Sequence, residues 1–426
     1  MFRIAAAAVA ALSFMTPANA ETIVIHAGTL ITDAAKAASG PSTITVTDSR
    51  ITAIDAGLNP APEGTRLIDL SQHTVMPGLI DAHVHLTGDH DSAFWKGFID
   101  TTEYGVAVGL KNAKLTLDAG VTTVRDLGSE PQTMFAIRRA ISEGMHAGPR
   151  IIAAGPAISI IGGHGDVSNV RPEIIAATSG YNTCTGPKEC SQRVREFSRA
   201  GADLIKITAT GGVLSQQGRG LEAHFTPEEM TAITGTARSL GLKVAAHAHG
   251  ARGIEAATRA GVSSIEHGTF IDDAGVRAMK ENGTWYVATL MAYRGIEEQL
   301  GTGIYTPVVE GKIRETLAFV GKGLGAASRA GVPIAFGTDA GVFAHGRNNE
   351  EAAMMVERGG MEPRDVLIAA TKGSAELLGV SAETGTLEIG KSADLIAVEG
   401  DPVRDIGALE RIRFVMAGGR EHPVAQ

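Results

Sequence analysis

Four histidines, one lysine and one aspartate stand where a chain can assemble a metal site. His83 and His85 are two residues apart in the run GLIDAHVHL. In a strand, residues i and i+2 share a face, so both imidazoles aim the same way and one cation can take a nitrogen from each. Alone, the pair equally fits two core histidines satisfied by hydrogen bonds. Lys206 stands between Ile205 and Ile207 in ADLIKIT. A buried ammonium is costly unless it is paired or neutral. Such a lysine can form a Schiff base, act as a base, or react with carbon dioxide to give a carbamate that can bridge two metals. Pairing with an acidic neighbour is the alternative. Three further runs end on donors: His247 in KVAAHAH, His267 in SSIEHGT and Asp339 in PIAFGTD. So many convergent buried polar groups are too costly to be a purely structural set without a ligand.

Those donors need strands to carry them. From Met76 to Gly379 the sequence alternates short apolar runs with helical stretches such as PEEMTAITGTARSLG. Ala-Gly pairs at 119–120, 200–201, 260–261 and 330–331 fall where helices stop, the expected place for a C-terminal cap glycine. Strand–helix units repeated in this way predict an α/β fold, a (β/α)8 TIM barrel over 76–379, with the donors on its C-terminal face. A doubly wound open sheet is the alternative. It is weakened because no glycine-rich dinucleotide fingerprint follows the first run. Residues 22–75 and 380–426 read instead as short strands with Gly, Pro and Asp between them. The two ends are expected to pair into one small β-sandwich beside the barrel.

The chain has 426 residues, 44% hydrophobic and 20% charged, enough for a large core. Its net charge of −9, with no basic block, excludes nucleic acid as the expected partner. Arg3, the apolar run Ile4–Met15 and the small-residue pattern Ala18-Asn19-Ala20 read as a signal peptide over 1–20, cleaved before Glu21. That run falls short of the roughly 20 residues a bilayer span needs, and no later segment reaches it. A periplasmic or secreted location is therefore expected. Export would put Cys184 and Cys190 in an oxidising compartment, and the turn residues between them favour a local disulfide over two free thiols.

The motifs PGLIDAHVHL, IKI, KVAAHAHG, SIEHG, IAFGTDAG and GTLEIGKSADLIAVEGDP together resemble the amidohydrolase superfamily, from Thr22 to the end. GGHGD at 162–166 and GTDAGVFAHGRN at 337–348 are similar to its exported prolidase-like, imidazolonepropionase-related branch. That branch includes Xaa-Pro and Xaa-aromatic carboxydipeptidases and bacterial amidohydrolases that degrade ochratoxin A. The resemblance implies two divalent metals, expected to be zinc. His83, His85 and Asp339 would hold the more buried ion, His247 and His267 the second, and N6-carboxylated Lys206 would bridge them.

It also implies hydrolysis of an amide in a small molecule or dipeptide that carries a free carboxylate. The product would be a C-terminal amino acid, and ochratoxin A would give ochratoxin alpha and phenylalanine. Asp339 would move the proton from water to the leaving amine. His164, His249, Tyr293, Arg294 and His345 are the candidate substrate contacts. A homo-oligomer, an octamer in form, is implied as well. Rival readings are a one-metal deaminase or cyclic-amide hydrolase, a lactonase or phosphotriesterase on the same scaffold, and a non-catalytic interaction protein. The first is disfavoured by the strand-four lysine and by Gly250, where many such relatives carry Glu.

Overall fold

The computed structural model describes residues 21–90, 94–216 and 220–424. The expected signal peptide lies outside them. Among the described residues no helix is long and apolar enough to cross a membrane.

The first strands are Thr22–Leu30 (β1), Ser42–Thr47 (β2), Arg50–Ala56 (β3) and Arg66–Pro77 (β4). They are rich in β-branched residues, which suit a pleated, half-buried surface. Gly78 alone separates β4 from the next strand, Leu79–Val84 (β5). A Cβ there would lie 2.2 Å from Thr122 Oγ1, so only glycine allows the chain to pass so close to its neighbour.

β5 pairs in parallel with Val121–Asp126 (β6), which pairs with Arg150–Ala153 (β7). A second parallel sheet holds Ala157–Ile158 (β8), Leu204–Thr208 (β9), Lys243–Ala248 (β10), Ser264–His267 (β11), Trp285–Val287 (β12) and Ile334–Ala335 (β13). Its order is β13-β12-β11-β10-β9-β8. β8 is a two-residue strand that the sequence pattern did not single out. The two parallel sheets meet at both edges. Val84 bridges Ala340 in parallel, and Ala82 N donates to Phe336 O at 2.8 Å. At the other edge Asp203 N donates to Ala153 O at 2.8 Å.

Helices follow most of these strands. The helix Pro227–Ser239 starts on a capping box, in which Thr226 and Glu229 each satisfy the other's backbone N–H. The helix Gly186–Ala200 ends on Gly201 at φ 111°, a left-handed cap that a side chain would strain. A large apolar core lies between strands and helices, with Ile205, Ile207, Ile233 and Ile265 all buried.

The chain closes with Leu395–Val398 (β14), Ile412–Ala417 (β15) and Arg420–His422 (β16). β14 pairs antiparallel with β4, Leu395 opposite Pro77. Both ends of the chain thus share one seven-stranded sheet, β16-β15-β14-β4-β1-β2-β3. Ile25, Ile44, Leu395 and Phe414 give it a core of its own.

Cys184 and Cys190 form a disulfide at the start of the helix Gly186–Ala200. Cys184 N donates to Ser159 O at 3.0 Å, beside the loop that carries His164. Closing so short a loop stabilises the fold by about 2 kcal/mol in the chain-entropy account. The Cys184→Ser/Cys190→Ser variant should lose about that much in urea unfolding. An unchanged unfolding midpoint would contradict it.

Candidate metal centre

His83, Lys206, His247 and His267 sit at or near the C-terminal ends of β5, β9, β10 and β11, with His85 just beyond β5 and Asp339 beyond β13. All six line one cavity of about 310 Å³. Leu127, Val213, Leu214, Ile296 and Val342 supply much of its remaining wall.

Two groups of donors face each other there. His83, His85 and Asp339 have ligand atoms within 4.8 Å of one another, and so do His247, His249 and His267. In the first group the hydrogen bonds fix the tautomers. His83 Nδ1 donates to Glu266 Oε2 at 2.9 Å, and His85 Nδ1 donates to Gly128 O at 2.9 Å. Both partners can only accept, so each neutral ring keeps a bare lone pair on Nε2. Those two atoms face Asp339 Oδ1 at 3.4 and 3.1 Å. Three acceptors converging on one point repel unless a cation stands between them. In the second group His247 Nε2 donates to Gly211 O at 3.3 Å, which leaves its Nδ1 bare. His267 Nδ1 bonds Thr289 Oγ1 at 2.7 Å. The donor set therefore fits divalent metal, with imidazole and carboxylate ligands suited to zinc, manganese or cobalt.

The electrostatics agree. Burial and the nearby Lys206 ammonium push the His83 pKa down to about 4. Burial does the same to His164 and His249, both near 3, and drives His247 and His267 well below the usual range. These rings are neutral at pH 7, as ligands must be. His85 differs: burial opposes its protonation, but the Asp339 carboxylate outweighs that and raises its pKa. Burial also lowers Lys206 to about 8, although Glu266 and Asp339 pull the other way. Lys206 is 3% exposed. Near neutral pH part of it is free amine, the form that attacks carbon dioxide.

Beneath His83 lies a buried ion pair that the sequence reading missed. Arg125 Nη2 donates to Glu266 Oε1 at 2.9 Å and Arg125 Nη1 to Ser264 Oγ at 3.1 Å. Burial would raise the Glu266 carboxyl, but the Arg125 guanidinium and the His83 ring override it and hold it at about 2. Asp81 was missed too. It accepts from His83 N, Thr338 N, Thr338 Oγ1 and Asn348 Nδ2, and so ties β5 to the loop bearing Asp339. The available signal was a charge inside an apolar run, the same signal that picked out Lys206.

The backbone is strained at this spot. His267, Thr289 and Asp339 have φ of 71°, 51° and 63°, a region non-glycine residues rarely enter. In regular β11, Glu266 and His267 would face opposite sides. The left-handed turn at His267 lets both reach the site.

His164, His249 and Tyr293 also line the cavity. His164 Nδ1 bonds Ser215 Oγ at 2.6 Å, and His249 Nδ1 bonds Thr269 Oγ1 at 2.6 Å. Two candidates stand outside the lining. Arg294 is half-exposed and pairs with Glu298 and Glu350, both at 3.6 Å. His345 is buried behind the site, bonded to Thr116 Oγ1 at 2.9 Å and to His85 O at 3.1 Å.

Replacing Glu266 by Gln would leave the Arg125 charge buried and uncompensated. A loss of about 3–5 kcal/mol is expected, with much less in the Arg125→Met/Glu266→Gln double variant. Urea unfolding of both checks this, and equal losses would contradict it. In the metal-free chain the unfolded state protonates His83, His164 and His249 near pH 6.5, while the folded state keeps them neutral down to about 4, 3 and 3. Stability is then full above pH 6.5 and falls as the pH drops through those lower values. His85, raised instead, offsets part of the loss. Chelated protein unfolded at about pH 7.5 and about pH 5 should be clearly weaker at the lower pH, and a flat profile would contradict the assignment.

Residues 74–421 match the model of the amidohydrolase family. The ochratoxinase of Aspergillus niger is 33% identical over 373 residues, which span 81% of this chain and 75% of that protein. The crystal structure of a Xaa-Pro dipeptidase with bound methionine in its active site aligns with a TM-score of 0.88 at 38% identity, covering 94% of this chain and 99% of that one. The crystal structure of the A. niger ochratoxinase aligns with a TM-score of 0.81 at 29% identity, covering 94% and 95%. The histidines at the strand ends and the match over 74–421 lead to one conclusion: the chain belongs to the amidohydrolase family.

Proposed function

We propose that this protein is a two-metal amide hydrolase that releases a C-terminal amino acid from dipeptides and N-acyl amino acids, with ochratoxin A within its range. The observation that carries the reading is the pair of three-donor groups sharing one cavity with buried Lys206. On this reading the parallel strands form a (β/α)8 barrel over 76–379, and the segments 22–75 and 380–426 form the sandwich. The leader-like residues 1–20 support export.

His83, His85 and Asp339 would hold one zinc ion, His247 and His267 the other, and carboxylated Lys206 would serve both. Bound there, the ions would polarise the scissile carbonyl and bring the pKa of an attacking water down to roughly 7. The chain supplies the rest. His83 and His85 hold the Asp339 carboxyl below its usual range against the opposing effect of burial, so it is ionised and able to accept a proton. Asp339 takes the proton from the attacking water and returns it to the leaving amine. His83, Lys206, His247, His267 and Asp339 are buried, which strengthens the polar contacts among them.

The apolar wall of Leu127, Val213, Leu214, Ile296 and Val342 suits a hydrophobic side chain. His164, His249 and Tyr293 are the polar points placed to receive the substrate carboxylate. Arg294 and His345 support the surrounding loops instead. The Xaa-Pro dipeptidase that holds methionine, a free amino acid, supports this product class by similarity.

The test is amine release by the purified mature chain, after chelation and after zinc is restored. The panel holds Xaa-Pro and Xaa-Phe dipeptides, N-acyl amino acids, ochratoxin A, a lactone and a phosphotriester. Activity on the amides should vanish on chelation and return with zinc. Turnover of only the lactone or phosphotriester would overturn the carboxylate reading. Asp339→Asn should lower kcat on the amides by about 10²–10⁴-fold. A near-normal rate would remove it from proton transfer.

A further inference from the structure

A second cavity, of about 600 Å³, lies between the seven-stranded sheet and the opposite end of the parallel strands. Thr122 and Arg150, near the starts of β6 and β7, form part of its floor. The metal centre is at the other ends of such strands, so the two sites face away from each other. β16 contributes its first residue, Arg420, and the helix Pro131–Ser142 contributes Arg138.

The lining has more positive than negative charge. Arg50, Arg138, Arg150 and Arg420 face Glu383 and Asp394. Arg50 is satisfied by Glu383 at 2.6 Å, and Arg138 is held by Asp203. The other two are less fully paired. Arg150 reaches Asp394 Oδ2 and Ser392 Oγ only at 3.4 Å, and its Nε is buried with no partner. Arg420 is exposed and makes no ion pair among the described residues. It extends over Gly144, where a Cβ would lie 2.2 Å from its Nη1. Thr122 is 1% exposed, and its Oγ1 also lacks a hydrogen-bond partner. The buried Arg150 Nε and Thr122 Oγ1 ask for an acceptor, and the exposed Arg420 adds positive charge beside them. Arginine forks match planar or tetrahedral oxyanions through paired N–H groups.

We propose that this cavity binds a doubly charged oxyanion on a small molecule, a phosphate group or a pair of carboxylates, held by Arg150, Arg420 and Thr122. The ligand would link the terminal sheet to the parallel strands, away from the amide chemistry. It would therefore stabilise the fold without competing with substrate.

Calorimetric titration of the zinc-loaded enzyme with inorganic phosphate and with succinate, at matched ionic strength, tests this. One anion per chain is expected, with a matching rise in Tm, and the tighter of the two identifies the source of the charge. Arg420→Ala should weaken binding roughly tenfold or more, and Thr122→Val by a smaller factor, both with unchanged amide hydrolysis. Asp339→Asn and the surface control Arg252→Ala should bind as the parent does. The proposal is overturned by absence of binding for both anions, by equal affinity in Arg420→Ala, or by loss of binding in Asp339→Asn, which would place the anion in the catalytic cavity.

Discussion

Polar groups taken out of water must find partners inside the protein, and here six of them converge on one small cavity. Their mutual contacts do not satisfy them. His83 and His85 each commit a proton to an outer acceptor and present bare nitrogens to the same Asp339 oxygen. The other histidines are held neutral by burial and by one another. Lys206 is 3% exposed in the same wall. A folded chain tolerates this arrangement when cations complete it, and much of the surrounding structure serves to keep the donors aimed inward.

That aiming depends on contacts distant in sequence. The Arg125–Glu266 pair fixes the His83 ring from below. Asp81 gathers four donors from β5, the Asp339 loop and Asn348. Glu351 accepts from Leu290 N and Met291 N and so anchors the helix that carries Tyr293. The left-handed backbone at His267, Thr289 and Asp339 adds strain of about 1–3 kcal/mol at each position. Packing and hydrogen bonds around the cavity must offset it, as is common where geometry serves chemistry.

The donors were legible in the sequence because they obey local rules. His83 and His85 share a face by period two, and Lys206 stands out as a charge between isoleucines. The pairing of the chain's two ends was legible from their shared strand-like composition, and β14 does pair with β4. Glu266 was hidden because regular alternation places it away from His267, and only the positive φ at His267 brings both inward. Arg125 and Asp81 were hidden because their roles depend on partners more than a hundred residues away. Arg294 follows Tyr293 directly, yet on a helix neighbours point apart, and it turns outward to Glu298 and Glu350.

The measurement closest to the central claim is the metal content of the purified protein, by inductively coupled plasma mass spectrometry, beside that of Lys206→Met. The account predicts two divalent ions per chain in the parent and a clear loss of metal in the variant, with the fold retained by circular dichroism. A parent that hydrolyses amides with no bound metal, or a Lys206→Met variant that still holds two ions, would contradict it.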